Sequence, residues 1–408
     1  MSLSQNKSWT NVLLIAEEDL TGLARLPHVL RQAGCRVSLI AGRDMLVTKT
    51  RFVDHHIASP GSLSELVEMS KKHLNENPNL YQWVIWADES VIRELSRNPD
   101  EEWLKTCFPV DPCSSAVRLI NSKTDFNQAA QEMGLPVPYF KPCSGLEDAE
   151  SAAEEIGYPV ILKDPYGSCG LGVRVVPAAT GFASAYQQFS DSSNPIVVQE
   201  FVSGKVGSTD VLYNHGKPVC WISTYSKTTL PKITGMSCVR EVMYHPEIEN
   251  LLSGVGKLTG FHGLGGVDWI HVAETNELKL VELNPRPTPG YHFGYRAGVD
   301  FSLAIREMLD GSPSIQRPQQ PDRGSQTTIY MFPQDIYRII TDHALFSLLR
   351  WLPGLPGSRD LPLNDPCLLL THLWRLSVRF LIETNKVLKR LLNRLNPFYN
   401  PNSCLEER

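Results

Sequence analysis

The chain has 408 residues, enough for two or three domains with sizeable cores. At 42% hydrophobic and 20% charged it is neither globally disordered nor a polytopic membrane protein. Lys and Arg number 39 against 44 Asp and Glu, and the net charge of −5 gives no electrostatic case for a nucleic-acid partner. Nine cysteines without a CxxC pair argue against a disulfide framework or a zinc module and fit a reducing compartment. The opening MSLSQNKSW lacks the apolar core of a signal peptide, and no uncharged apolar run is long enough for a spanning helix, so a cytoplasmic location is expected.

Residues 12–16 (VLLIA) read as a buried strand, 21–33 as a helix stopped by Gly34, 36–40 as a second strand, 62–75 as a helix and 82–87 as a third strand. This alternation predicts a parallel α/β sheet. The first strand runs into Glu17-Glu18-Asp19 where a dinucleotide site would need GxGxxG, so an NAD site is rejected. A helix is expected over 121–134, capped by Asn121 or Ser122, and another over 147–157. Strands are expected at 159–163, 172–176, 196–201, 209–213 and 218–224, a helix at 247–260 and a β-hairpin at 266–284. The Pro-, Gln- and Ser-rich stretch 311–326 reads as a linker or exposed loop. Residues 366–396 form a basic amphipathic helix or helix pair, with Arg375, Arg379, Lys386, Lys389, Arg390 and Arg394 against Glu383. Such a helix packs on the body of the protein or at a dimer interface; attachment to a membrane surface is the sharper alternative.

The hairpin carries the strongest chemical signal. Asp268 and Glu282 are equidistant from Thr275, so a symmetric hairpin makes them cross-strand partners with Cβ atoms about 5 Å apart. Asn284 shares their face, while Val267, Trp269, Val281 and Leu283 point to the opposite, apolar one. Two opposed carboxylates plus an amide oxygen are a hard donor set suited to Mg²⁺. Arg286 follows and can hold an anion produced there. A half-exposed hairpin with a polar outer face is the plainer reading. Lys163 ends a strand and precedes a glycine-rich turn (Gly167, Ser168, Gly170, Gly172) whose N–H groups can cradle phosphate; a plain hairpin turn is the alternative. The segment VVQEFVSG brings Gln199 and Glu200, then Phe201 and Val202, to a strand end that can pair with an adenine edge, or that simply leaves the sheet.

In this order the motifs resemble the ATP-grasp superfamily of ligases, over roughly residues 115–310. The resemblance implies a fold of mixed α/β and α+β class. An N-terminal parallel α/β domain would span 1–115, an ATP-grasp domain of two α+β halves 116–310, a linker or loop 311–326 and a mostly helical extension 327–408. It implies that Lys123 and Lys163 contact phosphate, that Ser168 to Gly172 (Ser168, Gly170 and Gly172 among them) close over it, and that Gln199, Glu200 and Val202 form the adenine hinge. Asp268, Glu282 and Asn284 would hold Mg²⁺ or Mn²⁺, and Arg286 would be the catalytic arginine of the E-x-N-x-R ending. Lys227 and Lys232 stand near another basic phosphate contact. Val206 replaces the acidic ribose partner common in relatives, with Asp210 as a substitute. The implied activity is ATP-dependent activation of a small-molecule carboxylate as an acylphosphate and its coupling to an amine. The alternatives are a non-amine acceptor, a non-carboxylate substrate, or an ATP-binding sensor without turnover. Tyr291, His292, Phe293, Tyr295 and Arg296 either line the substrate pocket or pack as a loop, and a homodimer is expected on base rate.

Overall fold

The computed structural model describes residues 9–164, 172–189, 195–232, 235–311, 319–324 and 326–395. The first sheet is parallel, with strands β1 (Thr10–Ala16), β2 (Cys35–Ala41), β3 (His55–Ala58) and β4 (Trp83–Trp86) in the order β3-β2-β1-β4. Its apolar runs are buried on both faces, as a helix-covered parallel sheet requires. The covering helices are α1 (Leu26–Gln32), α2 (Leu63–Glu76) and α3 (Glu89–Leu95). The expected helix over 21–33 begins as a 3₁₀ turn, Leu23–Arg25, and becomes α-helical only at Leu26 beside Pro27. β3 and α3 were not read from the sequence: β3 is short and only partly covered, and α3 follows β4 almost without a break.

Helices α4 (Ala116–Asn121) and α5 (Lys123–Glu132) meet at Ser122, whose hydroxyl caps α5 by accepting from the Asp125 N–H. A four-stranded antiparallel sheet follows, with β5 (Phe140–Cys143), β6 (Val160–Lys163), β7 (Val173–Val176) and β8 (Ile196–Glu200) in the order β5-β8-β6-β7. Helices α6 (Leu146–Ile156) and α7 (Phe182–Gln187) cover it, and Ala149, Ala152 and Ala153 let α6 lie close to the strands.

The third sheet has seven strands: β9 (Lys205–Asn214), β10 (Lys217–Leu230), β11 (Met236–Met243), β12 (Gly263–Val272), β13 (Glu277–Asn284), β14 (Thr328–Tyr330) and β15 (Ser358–Arg359), ordered β13-β12-β9-β10-β11-β14-β15. One face packs Trp221, Trp269 and Tyr213 against α5 and α8 (Ile248–Thr259). On the other face Leu212, Ile222 and Leu264 join Val12, Leu14 and Val37 of the first sheet in one core. Gly207 is required here, because a Cβ at that position would stand 2.1 Å from the Trp269 indole.

Three expectations need correction. The hairpin is not symmetric about Thr275: its outer part pairs Val272 with Glu277 and Trp269 with Leu280, and a register shift between Asp268 and Trp269 restores the Asp268–Glu282 pair. The residue taken up by that bulge, Val281, is only half-buried, and Leu278 and Leu280 take its place on the apolar face with Leu283. The stretch 311–326 is not wholly an exposed loop, since Gln319 exchanges backbone hydrogen bonds with Val219 and Trp221 along β10. Finally, β10 runs 14 residues, beyond the expected 218–224.

Helix α9 (Phe301–Asp310) packs on α1. Helix α10 (Gln334–Thr341) packs on a single long helix α11 (Pro366–Leu395), and no helix among the described residues is long and apolar enough to cross a membrane.

Candidate active site

The hairpin β12–β13 places Asp268 opposite Glu282 and brings Asn284 beside them, its Nδ2 donating to Asp268 Oδ2 at 3.2 Å. The apolar face behind the pair is anchored by fully buried Trp269, whose indole N–H donates to Thr209 Oγ1 at 2.9 Å. Burial first, then the Glu282 carboxylate, pushes Asp268 up to about 7. Burial also opposes the charge on Glu282, but Lys123 and Lys163 outweigh it and hold this carboxyl below its ordinary range.

Two lysines from different elements converge on this pair. Lys123, the first residue of α5, reaches Glu282 Oε2 at 2.8 Å. Burial works against its charge, yet Glu282, Glu89 and Asp268 keep its pKa above the ordinary value. Lys163, at the end of β6 in the smaller sheet, donates to Gln199 Oε1 at 2.8 Å. Burial lowers it to about 8, against the pull of Glu282.

Other expected residues are placed as follows. Gln199 is buried. Glu200 accepts from the Tyr139 N–H at 3.0 Å and from Lys279 at 2.8 Å, which ties the end of β8 to β13. Val202 is half-buried in the connection between β8 and β9. Gly172 closes the base of its turn by accepting from the Asp164 N–H at 2.9 Å, while Ser168 and Gly170 lie outside the described residues. Arg286 donates from Nε to Glu89 Oε1 at 3.1 Å, joining the end of β13 to the start of α3.

Several residues are placed elsewhere. Lys227 pairs with Glu241 on β11 instead of joining the carboxylates, because its strand carries it outward. Lys232 is exposed beyond β10. Val206 is exposed, and Asp210 is buried against Arg240 at 3.0 Å, so its carboxylate faces an internal cation. The segment 291–296 forms no open pocket wall. Tyr291 donates to the Gly265 carbonyl at 2.7 Å, Phe293 lies in the core, and His292 meets Asp360 at 2.7 Å. Arg296 reaches Ser358 and the Arg359 carbonyl, and Tyr295 is exposed.

Two site neighbours were missed in the sequence. Arg240 lies on an unread strand, β11, and its charge favours the ionised form of Asp268; an arginine inside the apolar run CVREVM was the available signal. Glu89 meets both Arg286 and the field of Lys123, but its position depends on contact between the first and third sheets, which no local pattern encodes.

A family model described as an ATP-grasp domain matches residues 120–290, the span holding both lysines and the hairpin. Residues 120–290 are an ATP-grasp domain. The chain is similar to the formate-dependent phosphoribosylglycinamide formyltransferase of Wolinella succinogenes, 24% identical over 293 residues, covering 66% of this chain and 72% of that one. It is also similar to the D-alanine–D-alanine ligase of Stutzerimonas stutzeri, 24% identical over 210 residues, covering 48% and 67%. N5-carboxyaminoimidazole synthetase from Staphylococcus aureus, solved complexed with ADP, shares the fold with a TM-score of 0.63 at 14% identity, over 88% of this chain and 94% of that one.

The donor chemistry of the ATP-grasp domain fits a divalent cation. Among the described residues no group of three or more His, Cys, Asp or Glu is arranged to hold a metal. The hairpin has two carboxylates and an amide, whose Oδ1 can join them as a donor, and a Mg²⁺ site completed by phosphate oxygens needs no more from the protein.

Proposed function

We propose that the protein is an ATP- and Mg²⁺-dependent ligase that activates a small-molecule carboxylate as an acylphosphate, couples it to an amine, and releases ADP and phosphate. The reading rests on one observation above all: Lys123 of α5 is paired with Glu282 opposite Asp268, and Lys163 of another sheet lies within the electrostatic field of both acids. It is supported by the ATP-grasp domain, and by a relative named for joining D-alanine to D-alanine.

Asp268, Glu282 and Asn284 would hold Mg²⁺, which when bound supplies positive charge beside the phosphates. Lys163 would bind the nucleotide phosphates, and their negative charge would raise its pKa back toward the ordinary range. Lys123, now on Glu282, adds a second cation to the same pocket. Backbone groups beyond Gln199 and Glu200 would meet the adenine edge. Arg286 would orient the acid substrate, with Glu89 fixing the guanidinium. A carboxylate oxygen then attacks the γ-phosphorus as the bond to ADP breaks. The amine nitrogen attacks the acyl carbon, phosphate leaves with that oxygen, and the nitrogen loses its proton to solvent.

Pools of amino acids and small carboxylic acids, incubated with Mg-ATP, should give ADP release that needs two components. With the acid ¹⁸O-labelled in its carboxylate, one labelled oxygen should appear in the released phosphate. Unlabelled phosphate would overturn the acylphosphate, and release that needs an acid but no amine would overturn the amine acceptor.

A further inference from the structure

The C-terminal part of the chain has two unlike faces. On its inner side α11 is docked. Leu368 packs with Ala24 and Leu46, Leu376 with Phe332 and Ile340, and Arg375 reaches Asp19 at 2.7 Å. Asp365 caps the first turn by accepting from the Leu368 N–H. On its outer side Leu370, Trp374, Val378 and Leu381 form a stripe at helical spacing, all exposed, with Trp374 at 70%. Arg375 and Arg379, the two arginines of this stretch, turn toward the body, so the stripe itself carries no charge. The 3₁₀ segment Leu345–Trp351 adds Phe346, 91% exposed, and Leu349, and its Trp351 packs on the same Phe332 that supports α11.

We propose that this face seats on an anionic lipid surface, with α11 lying in the plane of the membrane. Soluble monomers seldom leave an apolar helical stripe of this kind uncovered. Charge selects the occupant. Leaving out the docked Arg375 and Arg379, α11 has four Lys and Arg against one acidic residue, in a chain whose net charge is −5. The last three turns of α11 carry Lys386, Lys389, Arg390 and Arg394. A second copy of this chain brings the same basic segment, whereas anionic headgroups neutralise it while the stripe enters the acyl boundary. The arginines on the docked side, and the lack of any helix apolar enough to cross a bilayer among the described residues, make the contact peripheral.

The test is co-sedimentation of the full chain with phosphatidylcholine vesicles and with phosphatidylcholine–phosphatidylserine vesicles, alongside the variant W374E/L381E. Both substituted residues are exposed, so the melting temperature should not change. Wild type should bind the phosphatidylserine vesicles, more weakly as salt rises, and the variant should bind at least about tenfold more weakly. Wild type that binds neither vesicle, or a variant that binds as well as wild type, overturns the proposal. So does a wild-type dimer in sedimentation equilibrium that the substitutions dissolve while lipid binding is absent; the face would then be a self-association surface.

Discussion

The two sheets that meet at the ATP-grasp site contribute opposite charges and are packed differently. The seven-stranded sheet supplies the acids, and behind them Trp269, Trp221, Tyr213 and Phe261 fill a core shared with α5 and α8. The four-stranded sheet supplies Lys163, and its core is light, resting on alanines of α6 and a few Val, Leu and Phe side chains. Two carboxylates facing one another must be held against their mutual repulsion, which the heavy packing and a covalently continuous hairpin provide. A lysine drawn toward those carboxylates needs only to be delivered.

The largest expected effect comes from the acidic side. Glu282→Gln should lower substrate-dependent ADP release by about a thousandfold or more with the fold intact, since it removes one proposed metal ligand and the partner of Lys123. Near-normal turnover would show that the acids are not the metal-binding half.

Cavity substitutions should separate the two cores. Trp269→Ala is expected to cost about 3–5 kcal/mol in chemical unfolding, and Leu162→Ala, next to Lys163, about 2–5 kcal/mol, with less of it where the lighter sheet can collapse. The tryptophan variant should also weaken metal binding, while the leucine variant should weaken nucleotide binding more than metal binding. Equal effects on both ligands would remove the distinction between the sheets.

Acid should act on a third region, the docked side of α11. Burial first, then Arg25 and Arg375, lowers His372 to about 4. The unfolded chain binds this proton near the ordinary 6.5, so the stabilisation is complete above that pH and is lost as pH falls toward 4. Each unit of displacement corresponds to about 1.4 kcal/mol. The melting temperature should therefore fall over that window, and His372→Phe should flatten the decline. The smallest effect is expected at the cap of α5: Ser122→Ala should cost about 1 kcal/mol and weaken nucleotide binding slightly by loosening Lys123.

Much of this comparison was legible in the sequence because it is local. The hairpin, a cap at Asn121 or Ser122 and the strand ending at Lys163 follow from periodicity and turn residues within short windows, while the Asp268–Glu282 pair, expected from a symmetric turn, is reached through a bulge. The bulge at Val281 was not legible, because its register is set by the long β9–β12 pairing as well as by the turn. Arg240 and Glu89 were missed because they arrive from elements distant in sequence. The aromatic segment after β13 suggested a pocket, yet it is tied down by Asp360 and the core, partners that only the tertiary fold supplies.

The central claim is that both carboxylates hold the metal used with the nucleotide. Manganese binding, followed by loss of the free Mn²⁺ electron paramagnetic resonance signal with ATP present, tests it directly. Wild type should bind Mn²⁺ in a nucleotide-dependent way, and D268N/E282Q should lose that binding while its circular dichroism spectrum stays unchanged. A double variant that binds Mn²⁺ with ATP as tightly as wild type would contradict the assignment.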